Sequence, residues 1–115
     1  MNISTVGIDI AKNIFQLHGV DNNCKVVLKK RMSRAKLGGY VANLPACTIV
    51  MESCGGANYW ANVFKQSGHT VKLISPQFVK PFVKTNKSDA NDAEAIVEAA
   101  NRPSIHFVPI KQVEQ

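Results

Sequence analysis

Apolar and polar positions alternate from Ile3 to Ala11: Val6, Ile8 and Ile10 share one side, Gly7, Asp9 and Ala11 the other. This period of two predicts a strand. A second alternating stretch runs from Ile14 to Val20, with Ile14, Gln16, His18 and Val20 on one face. Only Lys12-Asn13 separates the two, a link short enough for a hairpin. Asp21-Asn22-Asn23 is a turn signal, and Lys25 to Met32 reads as a third strand. Together these segments predict an antiparallel meander.

Beyond the meander the pattern changes. Ser33 suits an N-cap for a helix over Ala35 to Asn43, although Gly38-Gly39 weakens it and Pro45 ends the segment. Thr48 to Glu52 is almost wholly apolar without alternation, as expected of a strand buried on both faces. Gly55-Gly56 permits a tight turn into a helix over Asn58 to Gln66, with Tyr59, Val63 and Phe64 as expected core contacts. Gly68 stops that helix, and His69 to Ile74 is another short strand. Strand–helix–strand connectivity implies parallel pairing. Pro76 to Val83 reads as a short helix or turn, and Ser88 to about Ala100 as an alanine-rich helix ended by Arg102-Pro103. Ile105 to Ile110 is extended and suits an edge strand. The order of three antiparallel strands followed by strand–helix–strand crossovers describes a ribonuclease-H-like α/β fold. The expectation is one domain over residues 1–115, with a mixed five-stranded sheet, three antiparallel strands then parallel ones, and helices on both faces.

Composition narrows the class. The 45% hydrophobic content suits a chain that buries a core, and no apolar run approaches the roughly 18 residues of a membrane span. The first residues lack a signal-peptide pattern, so the expected compartment is the cytoplasm. Three widely spaced cysteines, Cys24, Cys47 and Cys54, contain no CxxC pair, which argues against a zinc ribbon and for free, mostly buried thiols. His18, His69 and His106 have no ligand-like spacing and read as surface or satisfied core residues. A net charge of +6 favours a polyanionic partner such as nucleic acid.

The acids carry the chemistry. Asp9 interrupts an apolar strand, where an ionised carboxylate needs a partner or a cation. Glu52 ends the other strongly apolar strand, which this architecture sets beside the first, and facing carboxylates repel unless a cation lies between them. Asp89 and Asp92 are three apart at the start of a helix, hence on one face. Each also has an ordinary explanation: a salt bridge, a strand end, or capping and the helix dipole. Their combination suits Mg²⁺ or Mn²⁺, hard cations that take oxygen ligands, and phosphoryl transfer supported by several converging carboxylates. Lys12, Lys84 and Lys87 are candidate phosphate contacts, with an exposed solvated loop as the alternative for the latter two.

Gly7-Ile8-Asp9-Ile10-Ala11-Lys12, Met51-Glu52-Ser53 and Lys87-Ser88-Asp89-Ala90-Asn91-Asp92-Ala93 together resemble the motifs of the DEDD transposases of the IS110 insertion-sequence family. The resemblance runs from Ile3 to about Pro109 and keeps the family's order and spacing. It implies a domain similar to the Holliday-junction resolvase RuvC. Asp9, Glu52, Asp89 and Asp92 would serve as metal-binding catalytic residues in DNA strand cleavage and exchange. DNA and a structured guide RNA are the implied partners, with homo-oligomers in the full-length protein. The family continues into a C-terminal domain with a serine nucleophile, so the resemblance implies that this chain is part of a longer protein and incomplete for the reaction alone. Two other readings stay open at this stage: a Holliday-junction-type structure-specific endonuclease and a non-catalytic nucleic-acid-binding module. A small-molecule kinase or actin-like ATPase is disfavoured, because Ala11-Lys12-Asn13-Ile14-Phe15 lacks the Gly- and Thr-rich phosphate hairpin.

Overall fold

The computed structural model describes residues 2–10, 13–83 and 89–111, with the backbone alone for 89–91. Strands β1 (Thr5–Ile10), β2 (Ile14–Val20) and β3 (Val26–Ser33) form the expected meander. Helix α1 (Arg34–Ala42) leads to β4 (Thr48–Glu52), α2 (Ala57–Gln66) and β5 (Thr70–Ile74). A short α3 (Pro76–Val79) and a 3₁₀ turn (Lys80–Phe82) precede α4 (Asp89–Ala100) and β6 (Phe107–Val108). The sheet order is β3-β2-β1-β4-β5-β6, with β4 parallel to β1 and β5 parallel to β4. The sheet thus has six strands where five were expected. The sixth is the two-residue β6, antiparallel to β5 through Leu73–Val108 and Ile74–Phe107.

Alternation divides the core into two layers. Val6 and Ile8 of β1, Phe15 and Leu17 of β2, Ile49 and Met51 of β4 and Leu73 of β5 pack against α1 and α2. Each large apolar side chain buried this way stabilises the fold by about 1.5–3 kcal/mol. Helix α2 contributes Ala57, Trp60, Ala61 and Phe64, the i, i+3, i+4, i+7 stripe of an amphipathic helix. Trp60 meets Phe15 edge-on with ring centroids 5.5 Å apart, and Phe64 at 5.6 Å. Tyr59, expected in the core, lies off this stripe and is half exposed. The expectation of mostly buried thiols also fails: Cys24 and Cys54 are exposed and Cys47 is intermediate, though all three are free.

His69 is a satisfied core histidine. One ring nitrogen, Nε2, lies 2.7 Å from the Val41 carbonyl, and the other, Nδ1, accepts the Cys47 backbone N–H at 3.2 Å. These bonds require the Nε2–H tautomer and tie the end of α1 to the approach of β4. Ser33 stands at the N-cap of α1 as expected, without a side-chain capping bond.

The other layer is thinner. Val50 of β4 and Ile74 of β5 pack against Ala95, Ile96 and Ala99 of α4 and Val79 of α3. Helix α4 crosses β1 where the sheet carries no side chain. A Cβ on Gly7 would stand 2.6 Å from Val97 Cγ2 and 2.7 Å from the Ala93 carbonyl oxygen. The missing side chain is what allows this close approach.

Candidate active site

Three elements place the four acids. Asp9 follows Ile8 on β1, and Glu52 follows Met51 on β4; Ile8 and Met51 are parallel partners. The two carboxylates therefore extend from neighbouring strands about 4.8 Å apart. Asp9 lies two residues from Gly7, and Glu52 two from Val50, so both face α4.

The direction of α4 brings its first turn to the same edge. At its far end, Val97, Glu98 and Asn101 border a cavity of about 310 Å³ with Val20 and Cys24, and Asn101 Nδ2 contacts Cys24 Sγ at 3.9 Å. Val20 pairs with Thr5, at the start of β1. The N-terminal turn of α4, with Asp89 and Asp92, consequently lies toward the end of β1 and β4 that bears Asp9 and Glu52.

The electrostatics agree with this geometry. Asp9, Glu52 and Asp92 are all half-buried. Burial, and then the neighbouring Asp92 carboxylate, push the Glu52 carboxyl up from its ordinary pKa. The Cys54 thiol is also pushed up, first by burial and then by the Glu52 and Asp9 charges, so Cys54 stands at the rim of the same acidic cluster. Its sequence position just after Glu52 hinted at this closeness. Asp9 makes interactions of its own with surrounding groups.

Donors of this kind suit a hard divalent cation, because all are carboxylate oxygens and their mutual repulsion is what a cation relieves. No three acids, histidines or cysteines among the described residues stand close enough together to enclose an ion. The Asp89 side chain, and Lys12, Lys84 and Lys87, lie outside the described residues. Gly7 opens the first motif, but motif reading assigns it no part in building the site. Its signal was a glycine inside an otherwise apolar strand, two positions before a carboxylate. No described helix is long and apolar enough to cross a membrane.

Comparison with known proteins agrees with the geometry. The sequence pattern of the IS110-type DEDD transposases matches residues 6–115. A protein of Pseudomonas aeruginosa described as a probable family 20 transposase is 53% identical over the whole chain, which covers 34% of that relative. The transposase for insertion sequence element IS1111A of Coxiella burnetii is 52% identical over 99% of the chain and 31% of the relative. The chain thus spans about a third of the length of these relatives. Among solved structures, Thermus thermophilus RuvC in complex with a Holliday junction substrate superposes with a TM-score of 0.63 at 12% identity, covering 94% of this chain and 100% of RuvC. A second Thermus thermophilus RuvC structure gives a TM-score of 0.61 at 13% identity, covering 90% of this chain and 99% of that one. These likenesses are of fold, and they bear out the RuvC-like expectation. With a family pattern over nearly its whole length and relatives more than half identical to it, the chain belongs to the IS110-type DEDD transposase family.

Proposed function

We propose that this chain is the N-terminal catalytic domain of an insertion-sequence transposase, and that Asp9, Glu52, Asp89 and Asp92 hold Mg²⁺ or Mn²⁺ for DNA strand cleavage and exchange. The observation that carries this reading is the arrival of β1, β4 and the first turn of α4 at one edge of the sheet, with the Glu52 carboxyl pushed up first by burial and then by Asp92. When bound, a divalent ion supplies charge stabilisation to a phosphoryl oxygen in transit. The protein's part is positional. β1 and β4, each paired on both sides, carry two carboxylates, and α4 presents Asp92 toward them, so these donors need little reorganisation as charge develops. Gly7 sets how near α4 stands to Asp9. Lys12, Lys84 and Lys87 flank the acids in sequence and would meet backbone phosphates. The substrate is DNA, as befits relatives named as transposases of insertion sequences. A structured guide RNA, homo-oligomers in the longer protein and a cytoplasmic setting belong to the same reading.

The test is an excision assay with the transposase that contains this chain. Asp9→Asn and Glu52→Gln are expected to abolish strand cleavage while leaving DNA binding intact. Undiminished cleavage in both variants would sink the catalytic role and leave a nucleic-acid-binding module. Loss of binding together with cleavage would equally contradict a role confined to catalysis.

A further inference from the structure

The sheet register runs one row of side chains outward from the acids. Asp9 on β1 pairs with Gln16 on β2, and Gln16 pairs with Arg31 on β3. Directly paired residues share a face, so Asp9, Gln16 and Arg31 line the side of the sheet that α4 packs on. Gln16 is half-buried and Arg31 is exposed. Strand β3 is the edge of the sheet, with no strand beyond it among the described residues.

Along the chain the charge of that edge is one-sided, while Glu94 and Glu98 of α4 act on His18, one cross-strand pair further along the same face. Lys25, Lys29, Lys30, Arg31, Arg34 and Lys36 fall within twelve consecutive residues, and no acid occurs between Asp21 and Glu52. Lysines on an edge strand also discourage edge-to-edge aggregation. That role asks for charge anywhere along the strand, and gives no reason for an arginine in register with Asp9. Lys30 lies on the opposite face, its ammonium 4.8 Å from the centre of the Tyr40 ring, whereas Arg31 continues the row of Asp9.

We infer that Arg31, approached across Gln16, is a substrate-positioning residue that grips a backbone phosphate of the duplex DNA whose strand is cut at the acids. This rests on the functional reading above. Two interstrand spacings of about 4.8 Å separate Arg31 from Asp9 at the backbone. With about 3.4 Å of duplex axis per nucleotide of a strand, and the axis running along the row, the gripped phosphate lies two to three nucleotides from the one at the acids. The guanidinium is suited to the task, because its planar fork binds a phosphate through two parallel hydrogen bonds. Gln16, neutral and placed between acid and base, provides an amide that donates to a phosphate or sugar oxygen without repelling it.

The test measures binding of fluorescently labelled duplex DNA by anisotropy across a salt series, without divalent ions so that cleavage does not intervene. Arg31→Gln is expected to flatten the slope of log affinity against log salt by about 0.9, which corresponds to about eightfold weaker binding at 0.1 M salt relative to a 1 M reference. Arg31→Lys, which keeps the charge, is expected to restore the slope. Lys65→Gln, which removes the same charge from exposed α2 surface on the other layer, is expected to leave the slope unchanged. Equal effects of Arg31→Gln and Lys65→Gln, or no effect of either, would overturn the inference while the functional reading stands. An effect of Arg31→Gln confined to an RNA duplex of the same sequence would overturn DNA as the occupant. Wild-type protein that binds no duplex DNA would overturn the functional reading and this inference together.

Discussion

Gly7→Ala pits two opposing effects against each other at the point where α4 meets β1. Glycine inside a strand costs roughly 0.5–1 kcal/mol relative to alanine through backbone entropy, so a purely local view expects the substitution to stabilise. The structure argues otherwise. The new methyl would lie 2.6 Å from Val97 Cγ2 and 2.7 Å from the Ala93 carbonyl oxygen. Rotation of Val97 relieves only the first contact; the Ala93 oxygen is helix backbone, so α4 itself has to move. Overpacking of this kind costs about 1–3 kcal/mol. The net expectation is a loss of up to about 2.5 kcal/mol, with a middle value of about 1 kcal/mol, which for a domain of this size lowers Tm by about 4 °C at the middle value. Gly39→Ala is the matched control, because it lies exposed within α1 with nothing within 4 Å of a new Cβ. It should stabilise by about 0.5–1 kcal/mol. Thermal unfolding of both variants beside wild type decides the matter. If Gly7→Ala unfolds at or above the wild-type temperature, the close approach of α4 is refuted, and with it the placement of Asp92 near Glu52.

Three further predictions concern the framework of the site. Glu52 has a raised pKa in the folded state, so its carboxyl favours folding below its ordinary value of 4.5 and loses that contribution as pH rises through the folded value. Glu52→Gln should therefore raise Tm near pH 7, and the gain should vanish by about pH 4; a gain independent of pH would contradict the cause given. His69→Phe removes the acceptor of the Cys47 N–H and one of the two donors to the Val41 carbonyl, which keeps the Leu44 N–H, and should cost about 1–3 kcal/mol in urea unfolding. A cost below about 1 kcal/mol would mean that water or rearrangement satisfies the Cys47 N–H. Gly56 holds φ +85° at the N-cap of α2, so Gly56→Ala should destabilise by about 1–2 kcal/mol even though nothing crowds the position. Unchanged stability would show that the turn into α2 adopts another conformation at no cost.

Much of the fold was legible because its signals were local. The alternation in β1 and β2, the unbroken apolar run of β4 and the alanine-rich α4 each named its own element. Even the neighbouring of Asp9 and Glu52 followed once β1 and β4 were taken as adjacent. Features that depend on partners were harder to read. Strand β6, Phe107–Val108, lies within the edge segment expected over Ile105 to Ile110, but its antiparallel pairing with β5 lies in backbone hydrogen bonds that no side-chain pattern announces. Tyr59 and Trp60 are neighbours, and which of them entered the core depended on the phase of α2, set by Ala57 and Ala61 against the sheet. The exposure of Cys24 and Cys54 follows from their positions in turns, where composition alone suggested burial. Gly7 reads as an ordinary strand glycine until α4 is laid across it. The row from Asp9 through Gln16 to Arg31 appears only with the register of three strands, which the length of a hairpin link does not by itself fix.

The central claim is that the acids at the ends of β1 and β4 and in the first turn of α4 form one metal site. Calorimetric titration of Mn²⁺ into the protein and into Asp9→Asn, Glu52→Gln, Asp89→Asn and Asp92→Asn tests it most directly. Loss of even an outer-shell partner typically costs about 10–100-fold in metal affinity, so each of these substitutions should weaken binding by about tenfold or more. Mn²⁺ affinity that is the same in wild type and in all four variants would contradict the account.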